Sequence, residues 1–201
     1  MNAPRLFLFA VATLLCPAAQ AQTSAFTDLD LDKSCKWDPV NEDEGAGGGC
    51  AWCPGLPDVP VRFCESDLRQ SVEYGPVPEN SGHWASFGQF NRILPKIEWR
   101  LDNGAPYAAI QRRFIENANP ATGTPDKAHE GQVLVVSTVA TRENPVSCVI
   151  AYVDARANAN ANELARNAAD ELARDFGCGN DEPQFIGERG PFAGDPSNSF
   201  E

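Results

Sequence analysis

The residues equipped for chemistry in this chain are its cysteines and histidines. Seven cysteines and two histidines occur in 201 residues. Six of the cysteines, Cys35, Cys50, Cys53, Cys64, Cys148 and Cys178, lie beyond the N-terminal segment. An even set in an exported chain reads as three disulfides rather than as thiols for catalysis. Cys148 and Cys178 stand apart from the rest and pair most simply with each other. Closing that loop of roughly 30 residues stabilises by about 3–4 kcal/mol in the chain-entropy model. The other four fit two pairings: Cys35–Cys53 with Cys50–Cys64, or Cys35–Cys50 with Cys53–Cys64. Cys50-Ala-Trp-Cys53 has redox spacing, but a glycine-rich stretch precedes it and Pro54-Gly55 follows. A reactive thiol of that kind needs a helix N-terminus, which these residues oppose. The same four cysteines have zinc-like spacing, yet in an oxidising compartment disulfides form first.

His83 stands beside Trp84 and His129 beside Glu130, both in predicted loops. A histidine base needs a nucleophile and an orienting carboxylate. The chain has no Gly-x-Ser-x-Gly elbow and no Ser-x-x-Lys signature on a predicted helix. Both histidines therefore read as solvated loop residues. Asp28, Asp30 and Asp32 resemble the start of a calcium loop. Lys33 replaces the required glycine, however, and Pro39 falls where the bidentate acid belongs. No catalytic residue, metal ligand or cofactor is implied.

What remains is binding chemistry. Trp84, Phe87 and Phe90 fall in the polar connection 75–91 and are candidate interface anchors. The full chain carries a net charge of −12. It becomes one unit more negative if the segment bearing Arg5 is removed. Such a chain repels phosphate, which disfavours non-specific nucleic-acid binding and anchoring on anionic lipid. The acids concentrate at the two ends. The stretch 76–157 is balanced and holds Arg92, Lys96, Arg100, Arg112 and Arg113. Arg100 and Arg112 are candidates to receive an anion or an acidic partner, with pairing to the acidic ends as the commoner outcome.

The N-terminus has a basic start, an apolar stretch from Leu6 to Cys16 and the small-x-small site Ala19-Gln20-Ala21. That is an export signal cleaved after Ala21. No later apolar run is long enough to span a membrane. Residues 28–32, 59–64, 68–74, 97–101, 106–115, 133–139 and 148–153 read as strands. Asn103-Gly104 supplies a tight hairpin turn between two of them. The stretch 38–49 is an acidic, glycine-rich loop. A helix is predicted over 160–176, with an alanine stripe facing the sheet and Asn160 and Glu163 forming a capping box. Glu163, Arg166, Asp170 and Arg174 have ion-pair spacing on its wet side. Gln184 to Gly187 reads as an edge strand, and 190–201 as a flexible tail. The expected architecture is α+β. A mainly antiparallel sheet over residues 22–189 carries one C-terminal amphipathic helix, stapled by disulfides.

Seven segments come in order: Asp28-Leu29-Asp30-Leu31-Asp32, Asp67-Leu68-Arg69, Phe87-Gly88-Gln89-Phe90-Asn91, Ile97-Glu98-Trp99-Arg100-Leu101, Gly131-Gln132-Val133-Leu134-Val135, Cys148-Val149-Ile150-Ala151-Tyr152-Val153-Asp154 and Gly187-Glu188-Arg189-Gly190. Together they resemble an uncharacterised family of small exported alphaproteobacterial proteins, which implies no activity and no site residues. The expected function is that of a periplasmic or secreted, non-enzymatic module. It would bind a protein or small ligand of the envelope. The alternative is a small periplasmic hydrolase-like enzyme using a loop histidine.

Overall fold

Asn103 and Gly104 both take positive φ angles, 50° and 83°, the backbone that a two-residue hairpin requires. They join β7 (Asn91–Asp102) to β8 (Ala105–Ile115), the longest pair of strands in the computed structural model, which describes residues 22–39 and 48–200. The expected signal segment, 1–21, and most of the expected 38–49 loop lie outside the described residues.

Around this hairpin a six-stranded sheet is ordered β1-β7-β8-β9-β10-β11. The added strands are β1 (Thr23–Asp28), β9 (Gly131–Thr138), β10 (Val149–Asp154) and the short edge β11 (Gln184–Phe185). Only β10 and β11 pair in parallel. The single helix among the described residues, α1 (Ala161–Leu172), lies on one face. Its Ala161, Ala165, Ala168 and Ala169 pack on Ile110, Leu134, Val136 and Ile150. Small alanines let the helix approach closely.

A second, antiparallel sheet covers the opposite face. It is ordered β2-β3-β4-β5, from Lys36–Trp37, Gly48–Leu56, Val59–Ser66 and Arg69–Tyr74. Its inward residues Val61, Phe63, Val72 and Tyr74 meet Ile97, Trp99 and Ala109. A two-stranded ribbon, β6 (His83–Phe87) with β12 (Pro196–Phe200), completes that side. The disulfides are Cys35–Cys53, Cys50–Cys64 and Cys148–Cys178, which selects the first of the two cluster pairings. The chain is thus α+β and mostly β. Among the described residues no helix is long and apolar enough to cross a membrane.

Several expectations need correction. The strand expected over 28–32 ends at Asp28. The Asp30 carboxylate accepts the backbone N–H groups of Asp32 and Lys33, and a side chain that captures local amides competes with the ladder. Leu68 is not on a strand face. It sits in the β4–β5 turn at φ 58° and is 59% exposed. Both sides of β5 are buried, the polar one at Ser71 and Glu73. The helix stops at Leu172, and the Asn160 side chain makes no capping bond. The charged side chains expected on its wet side pair across to the sheet instead: Arg166 with Glu98, Asp170 with Arg100 and, just past the helix end, Arg174 with Asp102.

The 75–91 connection contains β6, and the expected tail contains β12, so the domain runs past residue 189 to the end of β12. Each of these strands is the other's partner over more than a hundred residues of chain. No local pattern announces such a pair.

Candidate functional site

β4 and β5 alternate: Val61 and Phe63 point into the core, and Arg62 points the other way. Val72 and Tyr74 likewise flank Glu73. Arg62 and Glu73 face each other in register across the two strands. On a two-layer protein this outer side is ordinarily wet. Here the turn around Glu79–Gly82 and the start of β6 fold over it, leaving Arg62 4% and Glu73 5% exposed. The result is a cleft of about 550 Å³, lined among others by Arg62, Arg69, Glu73, Ser81, His83 and Trp84.

Gly82, at φ 68°, turns the chain so that His83 enters the cleft wall. Ser81 fixes this corner. Its hydroxyl donates to Glu73 Oε2 at 2.8 Å and accepts the His83 backbone N–H at 3.3 Å. The His83 ring is held from behind by β12. Its Nε2 is 2.8 Å from Asn198 Oδ1, and Phe200 stacks on it with centroids 4.5 Å apart. On the other flank, Arg62 Nη2 donates to Asp38 Oδ2, and the guanidinium lies 5.0 Å from the Trp52 ring centre.

These bonds leave a remainder. Arg62 Nε and Nη1, Glu73 Oε1 and His83 Nδ1 are buried with no hydrogen-bond partner among the described residues. His83 Nδ1 and Glu73 Oε1 lie 3.7 Å apart, outside bonding distance. A half-satisfied buried network is costly, because each orphaned group keeps its desolvation penalty. It can offer two donor nitrogens with three N–H groups, one carboxylate acceptor and one imidazole nitrogen to an incoming molecule.

The chain matches no family model, no curated protein and no solved structure.

The sequence-derived candidates divide. Trp84 lines the cleft, half-buried. Phe87 does not reach a surface: it is 1% exposed and packs edge-on against Tyr152, because β6 turns that side inward. Phe90 is exposed under the Arg69 guanidinium, 4.9 Å from its ring centre. Arg100 is 6% exposed and bound through Nε and Nη2 to Asp170 at 2.8 and 2.7 Å. Those bonds hold its pKa above the ordinary value. It is a structural ion-pair partner rather than an open anion site. Among the described residues Arg112 reaches the neutral Gln132 and Asn162, and burial lowers its pKa. Arg113 points to the opposite face, buried against the carbonyls of Gln70 and Ala85.

His129 stays in its loop, with Nδ1 2.6 Å from Asp126 Oδ1. The hydrogen bonds from His129 and Asn119 pull the Asp126 pKa down to about 2. His83, by contrast, is on a strand and buried rather than in a solvated loop. Arg62, Glu73, Ser81 and Asn198 were not singled out from sequence. The first two carry a weak signal, as charged residues in register between apolar neighbours. Ser81 and Asn198 carry none. Among the described residues no group of three or more His, Cys, Asp or Glu side chains could hold a metal ion.

Proposed function

We propose that this protein is a non-enzymatic binding module of the bacterial envelope, exported behind the 1–21 signal, and that its ligand enters the Arg62–Glu73–His83 cleft. One observation carries the reading: three residues that line one cleft, Arg62, Glu73 and His83, bear four buried polar atoms with no partner among the described residues. Unsatisfied buried groups are rare in folded proteins and call for a reason, and a ligand that completes their bonds supplies one. Three disulfides fit an oxidising compartment. The resemblance to small exported proteins supports the same placement.

The alternative is a small enzyme that uses His83. A carboxylate beside a buried imidazole favours it. However, the nearby Ser81 hydroxyl is turned to Glu73 rather than to the ring.

The test is a thermal-shift assay of the exported, disulfide-bonded protein in the small-molecule fraction of envelope extract. Wild type should melt several degrees higher in extract, and Trp84→Ala should lose most of that gain. A ligand present at about 100 times its Kd stabilises by about 2.7 kcal/mol. An equal gain in both proteins, or none in either, overturns the cleft as the site. Turnover of the bound molecule that vanishes in His83→Gln would favour the enzyme.

A further inference from the structure

We infer that the molecule taken by this cleft is neutral and rich in hydroxyl groups, of mono- or disaccharide size. The inference rests on the reading of the cleft as a binding site and goes on to the class of ligand.

The orphaned atoms set the requirement. Arg62 Nε and Nη1 can only donate, and an ionised Glu73 Oε1 can only accept. A hydroxyl group does both, with one proton to give and two lone pairs to offer. Neighbouring hydroxyls on one ring can accept from Arg62 and donate to Glu73 at the same time, and His83 Nδ1, left as an acceptor in the neutral ring because Nε2 donates to Asn198 Oδ1, can take a further hydroxyl proton. Releasing the Ser81 bond lets the Glu73 carboxylate turn towards an entering hydroxyl.

Charged ligands fit less well. The Arg62 charge is already answered by Asp38. The second guanidinium of the cleft, Arg69, is already paired with Asp67, and an incoming carboxylate or phosphate would meet Asp67, Glu73 and Glu79 on the same walls. It would also have no proton for Glu73 Oε1. A simple cation would satisfy Glu73 but face the unpaired N–H groups of Arg62. The wall fits the same chemistry. Trp84 is half-buried there, and an indole face packs well against the C–H side of a sugar ring. A volume of about 550 Å³ lies within the usual range for small-molecule sites.

The test is a 1H–15N NMR titration of the full exported protein. The neutral probes are glucose, galactose, N-acetylglucosamine, maltose and lactose. The charged probes are glutamate, inorganic phosphate and putrescine. At least one sugar should shift the Trp84 indole and the Ser81–His83 amides saturably. Glu73→Gln should weaken that sugar by about tenfold or more, as expected for a lost bond to a charged group. Its melting curve and unperturbed spectrum show whether the variant is folded. Phe26→Ser, on the far edge strand, should bind as wild type does. If only a charged probe moves the cleft resonances, the ligand class is wrong and the cleft remains the site. If no probe of either kind moves them, the inference falls together with the reading beneath it.

Discussion

Two sides of the molecule, the helix face of the six-stranded sheet and the outer side of the second sheet, use the same residue types to opposite ends. Under the helix, the polar groups close on one another. Arg100 donates to both Asp170 oxygens and to Ser24 Oγ, Tyr107 donates to Asp170, and Ser24 and Arg166 both donate to Glu98. Every carboxylate of this group has donors from the same chain. On the other side of the molecule, Arg62, Glu73 and His83 are as deeply buried as Arg100 yet keep unspent donors and acceptors. The first arrangement holds a helix to a sheet. The second holds its own parts less completely than it could, and that deficit is what makes it a candidate site.

The largest effect should come from opening the closed face. Asp170→Ala leaves Arg100 buried without its carboxylate, which should cost about 3 kcal/mol in urea unfolding. Faster hydrogen exchange across α1 should accompany the loss. A cost below about 1 kcal/mol would place this pair among ordinary surface ion pairs and erase the contrast.

A smaller effect should appear at high pH. The chain has three tyrosines, and each has a raised pKa. Burial is the main cause for all three. It pushes Tyr107, with help from Asp170, and Tyr152 up to about 12, and raises Tyr74 further. The unfolded chain loses these protons near the ordinary value of 10, before the folded protein does. Their contribution to stability is therefore complete below pH 10 and is lost as pH rises towards 12. Absorbance at the tyrosinate band should appear about two units later in native than in denatured protein. In Asp170→Ala the Tyr107 step should move down and the Tyr152 step should stay. A native titration at the ordinary value would break the account of how these side chains are packed.

How much of this was legible in the sequence follows from the range of the interactions. The 97–115 hairpin was readable because Asn103-Gly104 and the alternation beside it are local. The Cys148–Cys178 staple was readable because no other simple partition exists. The alanine stripe of α1 was readable, but the partners of its charged residues were not. Arg166 and Arg174 have good spacing along the helix, and only the sheet beneath it offers Glu98 and Asp102. The cleft was the least legible. Arg62 and Glu73 look like the wet positions of alternating strands. What buries them is a turn eight residues downstream of Glu73 and the start of β6, a strand whose own partner, β12, lies over a hundred residues away. His83 read as a loop residue for the same reason: Asn198 and Phe200, which hold it, lie where a tail was expected.

The smallest effect is the most discriminating. If Glu73 is retained for a ligand rather than for the fold, removing its charge should cost almost nothing in the free protein. Glu73→Gln keeps the shape and can keep the Ser81 contact by turning its carbonyl oxygen to the hydroxyl. Its amide nitrogen then faces His83 Nδ1 in place of an unpaired carboxylate oxygen. Burying an unpaired charge is more costly than burying a neutral amide with one bond made. The expected change in unfolding free energy is within about 1 kcal/mol, with stabilisation the favoured sign, as where a site trades stability for function. Urea unfolding of both proteins without added ligand measures it. A destabilisation of about 3 kcal/mol, equal to that of Asp170→Ala, would mean that Glu73 is bonded as completely as the helix face. The cleft would then be one more closed network.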